Sequence, residues 1–268
     1  MSSKYLPVSP VPPPRCCCLL SLCLTVWLWV LLLMGISPFL RILFLLIGSG
    51  AADDVYNVLQ YGATGDGVTD DTAAFEAALA AIEAANRGRR TRAADDDGGG
   101  GRMSTLLVPG DDRGQSTYLI RPINLTSNMD FHLGANATVL GLPDCGAWPL
   151  IEGAPGYGQG RDHPEAGEYD GDDPAAADGR RFTSLLHGER LSNVRVSGEG
   201  PSSVVDGQGA YWWRRHESGV ETHTRGHLVE LMYSRGVEVA SISLKDSPFW
   251  TTHFYDCDDV HVHHTVSE

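Results

Sequence analysis

One short pattern recurs in this chain and limits what it can fold into. A small or polar residue precedes an apolar, a polar and an apolar one. It occurs as Asn128-Met129-Asp130-Phe131, Asn193-Val194-Arg195-Val196, Gly236-Val237-Glu238-Val239 and Asp259-Val260-His261-Val262. Alternation of period two marks a β-strand with one buried face. The starting positions are separated by 65 (193−128), 43 (236−193) and 23 (259−236). These read as three, two and one multiples of about 22, and a period in the twenties signals a solenoid. The alternation excludes helical arrays, and the leucine-rich signature is missing. The expected fold is therefore all-β, a parallel β-helix whose coils stack so that equivalent residues line up.

The start of such a body needs a cover for its open first coil. Residues 55–61 (VYNVLQY) read as a short strand and the following glycines with Asp66 as a turn. Asp70, Asp71 and Thr72 are helix N-cap types. Phe75, Leu79 and Ile82 fall at i, i+4 and i+7, one apolar face of a capping helix over 72–85. The aspartates lack the alternate carboxylates and the terminal Glu of an EF-hand loop. LLVP (106–109) and TYLI (117–120) read as further strands. Residues 86–103 and 153–180 are low in complexity and read as solvated inserts.

The N-terminus has a different character. Residues 16–40 carry no charge and follow Lys4 and Arg15, long enough to span a bilayer. The expected organisation is an N-terminal tail with a signal or transmembrane anchor helix (1–52) and a β-helix body (53–268). Positive charge on the N-terminal side places the body outside the cytosol, either secreted to the cell wall or membrane-attached through that helix. The sequons at Asn124 and Asn136 are candidate glycosylation sites in such a compartment. The chain holds 20 Lys+Arg against 34 Asp+Glu. Lys4, Arg15 and Arg41 precede residue 51 and no acid does, so the remainder carries 17 basic and 34 acidic residues. That excess repels nucleic acid, and no nucleic-acid partner is expected.

Cys145 and Cys257 are the only cysteines beyond the apolar segment. Their spacing fits no zinc motif, and both read as buried thiols. His261 and His263 alternate outward from Val260 and Val262, with His264 leaving the strand. No third ligand has suitable spacing, so no metal is expected.

At this point three blocks carry a family resemblance. NVLQYGATGDGVTDDTAAFEAAL (57–79) resembles the opening of pectin-active β-helix proteins. DGQGAYWW (206–213) and LKDSPFWTTHFYDCDDVHV (244–262) are similar to successive segments of the polygalacturonase family, family 28 of the glycoside hydrolases. The resemblance covers roughly 55–268 apart from the inserts, as the N-terminal portion of that family. It implies a right-handed parallel β-helix, incomplete at its C-terminus, and inverting hydrolysis of α-1,4-galacturonosyl bonds in pectin without a cofactor. The family's Asn-Thr-Asp, Gly-His-Gly and Arg-Ile-Lys motifs do not occur here. No catalytic residue is therefore assigned, and the expectation is a truncated or inactive member. The alternative is a non-enzymatic, membrane-anchored module that binds cell-wall polysaccharide.

His253, just after the SPFWT block, is the one candidate for contact with a pectin or oligogalacturonide partner. Arg214, Arg215, Arg225 and His227 are expected to form a partly basic cluster for a polyanion. Trp212 and Trp213 are expected to pack on the solenoid flank.

Overall fold

The computed structural model describes residues 54–93, 102–111, 114, 116–153, 179–221 and 223–268. Asp53–Glu268 form one compact unit. The expected signal or anchor helix lies outside the described residues, and among those residues no helix is long and apolar enough to cross a membrane.

Three parallel sheets wrap the chain into stacked coils. The first contains β1 (Val55–Asn57), β3 (Ser104–Val108), β6 (Met129–Leu133), β11 (Ser192–Gly198), β14 (Arg235–Ala240) and β17 (Asp258–His263), in that spatial order. The second contains β2 (Asp66–Asp70), β4 (Ser116–Ile120), β7 (Ala137–Gly141), β12 (Val204–Asp206), β15 (Ser243–Lys245) and β18 (Val266–Ser267). The third contains β5 (Ile123–Asn124), β10 (Leu186–Glu189), β13 (Val229–Met232) and β16 (Thr252–Tyr255). A separate antiparallel pair joins β8 (Leu150–Glu152) to β9 (Arg180–Phe182). Met129, Val194, Val237 and Val260 occupy one column, and Phe131, Val196, Val239 and Val262 the next inward one. Their side chains fill the core, except that Val262 on the outermost strand is 50% exposed.

The spacing has a different origin from the expected multiples. β6 pairs directly with β11, and β11 directly with β14. Offsets of 65 and 43 therefore each separate adjacent coils. The extra length leaves the solenoid, through the β8/β9 excursion in one coil and through α2 (Gly209–Glu217) in the next. Only the offset of 23 is a bare coil.

The small or polar residue that opens each repeat also has a structural cause. Asn128, Asn193, Gly236 and Asp259 have φ of 55°, 57°, 65° and 56°. This left-handed backbone turns the chain into β6, β11, β14 and β17 of the first sheet. Asn, Asp and Gly enter it at least cost. His264, at φ 51°, makes the corresponding turn out of β17.

The first coil is closed by α1 (Thr72–Ala93). Phe75, Leu79 and Ile82 are buried, and the Phe75 ring meets Tyr118 and Phe131 at 5.9 and 6.2 Å. Asp70 accepts from the Thr72 N–H, while Asp71 accepts from Thr64 and Gly65 and fastens the preceding loop. Three expectations need correction here. The strand at 55–61 is β1 followed by a 3-10 turn at Val58–Tyr61. The expected turn around Asp66 leads into strand β2. The helix runs to Ala93, through residues expected to be loop. Arg89 holds that extension by reaching Asp54 at 2.5 Å and Ser104 at 2.6 Å, and Asn86 donates to the Ser127 carbonyl at 2.7 Å.

Outward positions of the first sheet alternate in charge: Asp130, Arg195, Glu238 and His261 share one column. Arg195 lies 3.4 Å from Glu238. His263 bonds Glu238 at 3.0 Å and His261 bonds Asp259 at 2.9 Å. The histidines of the last repeat are thus exposed face residues. Cys145 and Cys257 are free, and half-buried where full burial was expected. Asn124 and Asn136 both present exposed side chains.

Candidate binding face on the third sheet

The two excursions fold onto one another beside the third sheet. Trp212, on α2, is buried edge-on against Trp148, Phe182 and Tyr211, at 4.8, 5.0 and 5.5 Å. Asp206 accepts from the Gln208 N–H and Asp246 from the Ala210 N–H, which seats the start of α2. Gly226 lies so close to the Thr183 carbonyl that a Cβ there would stand 2.0 Å from its oxygen. This contact brings β9 over the sheet and delivers Arg181 to it.

Alternation along β13 turns Val229 and Leu231 into the core and Glu230 and Met232 to the opposite face. Arg181 touches both of the latter. Glu230 and Arg181 are fully buried. One Glu230 oxygen, Oε2, accepts from Arg181 Nη1 at 3.0 Å, Ser184 Oγ at 2.9 Å and His187 Nδ1 at 3.0 Å. The other, Oε1, accepts from Arg181 Nη2 at 2.9 Å and His253 Nδ1 at 2.8 Å. Burial alone would oppose ionisation. The bonds from His187 and His253 and the Arg181 charge outweigh it, and hold Glu230 well below the usual carboxylate range. An ionised carboxylate only accepts, so both imidazoles carry their hydrogen on Nδ1.

His227 stands on this cluster with Nε2 3.8 Å from Glu230. Burial, only partly opposed by Glu230, pushes its pKa down to about 3, so the ring is neutral at ordinary pH. Ligand atoms of His227, Glu230 and His253 lie within 4.8 Å of one another, near enough to surround a metal ion. The donor set does not fit one. Arg181 takes both carboxylate oxygens and cancels the one negative charge, so a divalent cation would be stranded in a buried site. Glu230 and His253 are hydrogen-bonded, and the His227 ring packs against His253 at 4.6 Å.

The rim of this cluster is aromatic. Trp250 stacks on His227 and Phe249, each at 5.4 Å, lies 5.3 Å from His253, and is 46% exposed. The side chains of His187 and His253 are 12% and 11% exposed. His253, the residue expected to face a ligand, thus stands at the edge of the cluster beside an open indole ring. The expected basic cluster is dispersed. Arg225 is buried between Trp213 and Phe249, 3.9 and 4.9 Å from their centroids. Arg215 pairs with Glu221 at 2.8 Å, and His227 is neutral. Trp212 packs as expected, whereas Trp213 is 41% exposed.

Arg181, His187 and Glu230 were not singled out by sequence, although a signal exists. His187 to Glu230 is 43 (230−187) and Glu230 to His253 is 23 (253−230). Those are the offsets of the alternating repeat, so the three fall in one column, as their pairing confirms.

Residues 173–267 match the family model of Glycosyl hydrolases family 28. A probable polygalacturonase from Vitis vinifera is 32% identical over 197 residues, which are 74% of this chain and 33% of that protein. The chain thus spans about a third of the length of that curated relative. Two solved structures share the fold. A hyperthermoactive exopolygalacturonase from Thermotoga maritima has a TM-score of 0.56 at 19% identity, over 81% of this chain and 47% of that one. A family 28 exopolygalacturonase from Yersinia enterocolitica has a TM-score of 0.51 at 17% identity, over 81% and 39%.

Proposed function

We propose that the body of this chain, which matches the Glycosyl hydrolases family 28 model over residues 173–267, is a partial member of that family and recognises pectin-type galacturonan on the outer face of the third sheet. The observation that supports the reading is the half-open Trp250 ring beside the anchored imidazole of His253. An indole face offers a sugar's C–H surface an apolar platform, and the adjacent polar tip fixes its orientation.

We assign these residues to binding and not to bond cleavage. Inverting hydrolysis needs one carboxylic acid at the leaving oxygen and one carboxylate on water, about 6.5–9.5 Å apart. Glu230 is saturated by five donors, and Asp206 and Asp246 seat α2. The motifs from which the family draws its catalytic groups do not occur in the sequence.

Retention of the full chain on polygalacturonate at low salt tests the reading. Trp250→Ala should weaken binding by on the order of tenfold, the scale of one aromatic contact. No reducing ends should be released. Absence of binding, or binding indifferent to Trp250, contradicts the proposal.

A further inference from the structure

The first sheet carries a histidine cluster that the galacturonan reading does not use. His261 and His263 stand two residues apart on the outward face of β17, and His264 follows in the left-handed turn. His261 Nε2 lies 2.9 Å from Asp259 Oδ1, and His263 Nε2 lies 3.0 Å from Glu238 Oε1. An ionised carboxylate only accepts, so both rings carry their hydrogen on Nε2 and present a bare lone pair at Nδ1. A carboxylate on the far nitrogen is the arrangement that orients an imidazole toward a metal. At His263 the bare nitrogen is met by His264 Nδ1 at 2.8 Å. At His261 it has no hydrogen-bond partner among the described residues.

We propose that His261, His263 and His264 form a site for a divalent transition-metal ion, with Asp259 and Glu238 as positioning carboxylates. Spacing along the strand offered two imidazoles and no third ligand; the turn after β17 supplies the third. Two nitrogens about 2.0–2.1 Å from one ion stand roughly 3–3.4 Å apart, so the 2.8 Å pair need open by only about half an ångström. His264 shifts its hydrogen from Nδ1 to Nε2 as it does so, and no proton is lost. His261 lies on the same face with its Cα roughly 6.5–7 Å from that of His263. Its side chain is 68% exposed, so the ring can turn toward the pair, and the equally open Asp259 can follow it.

The surrounding charge favours a cation. Asp259 and Glu238 face the rings. Arg195 touches Glu238 through Oε2 alone, at 3.4 Å, and is shared with Asp130 at 3.9 Å, so Oε1 stays with His263. Arg235 stands in register with Asp258. Neutral imidazoles suit zinc, copper and nickel, and not magnesium or calcium.

Zinc and copper are each titrated into the full chain with its thiols blocked by N-ethylmaleimide. The chain should bind one equivalent more than the combined variant His261→Gln, His263→Gln, His264→Gln, whose exposed substitutions should leave the circular dichroism unchanged. Under zinc, the imidazole 15N resonances of His261 and His263 should move at Nδ1 while Nε2 keeps its proton. The copper spectrum should show coupling to at least two imidazole nitrogens. Glu238→Gln and Asp259→Asn should each weaken zinc binding about 10–100-fold. Excess magnesium should not displace zinc. Equal stoichiometry in the combined variant, zinc shifts confined to other histidines, coupling to a single nitrogen, or displacement by magnesium overturns the site. Unchanged affinity in both carboxylate variants overturns the role given to Asp259 and Glu238.

Discussion

Replacing Glu230 by glutamine is the sharpest test of how this face is built. The substitution keeps shape and removes one charge. Arg181, fully buried and bonded to both oxygens at 2.9–3.0 Å, is then left without its counter-ion. Breaking a buried pair on one side costs about 3–5 kcal/mol. The amide can still accept on one atom, but its NH2 opposes whichever donors face it: Arg181 with His253, or Arg181 with Ser184 and His187. A loss at the upper end of that range is therefore expected, measured as the urea midpoint of the full chain at pH 7 by far-UV circular dichroism. Arg181→Met removes the other partner. The double variant should be less damaged than the sum of the singles by roughly 2–3 kcal/mol, as directly contacting residues couple. Acid acts in the same direction. The depressed Glu230 pKa gives stability that is present above the usual carboxylate value and is lost as pH falls below it. Loss of less than about 1 kcal/mol in Glu230→Gln, or strict additivity, would refute the buried-pair account.

His227 sets a second acid response: its folded pKa of about 3 lies below the usual 6.5, so its contribution is complete above pH 6.5 and lost as pH falls toward 3. His227→Phe keeps the stack on Phe249 and Trp250, and should flatten the stability–pH curve over that window by on the order of 3–5 kcal/mol. Gly226→Ala forces a Cβ against the Thr183 carbonyl, displaces the β9 excursion and should cost about 1–3 kcal/mol, read in the same denaturation assay.

How far the molecule was legible in its sequence depends on what repeats locally. The inward Val columns, the left-handed openers Asn128, Asn193, Gly236 and Asp259, and the apolar face of α1 all leave short-range patterns. They could be read without knowing the coil length. The coil count could not. Excursions that leave the solenoid add residues without adding a rung, so offsets of 65 and 43 mimicked multiples of a shorter repeat. The helix extension to Ala93 was hidden for a different reason: its hold on the body is made by Arg89 and Asn86 reaching Asp54, Ser104 and Ser127. His253 was visible beside the SPFWT block. Its anchor was not, because Glu230 stands in an apolar run and meets Arg181 only once the β9 excursion has folded over the sheet.

The proposed site for galacturonan is the outer face of the third sheet. Hydrogen–deuterium exchange of the full chain with and without oligogalacturonide reads this directly. Added protection is expected in peptides covering 227–232 and 249–255, with little change in the first sheet at 192–198 and 235–240. Protection confined to other segments, or none at saturating ligand, would contradict it.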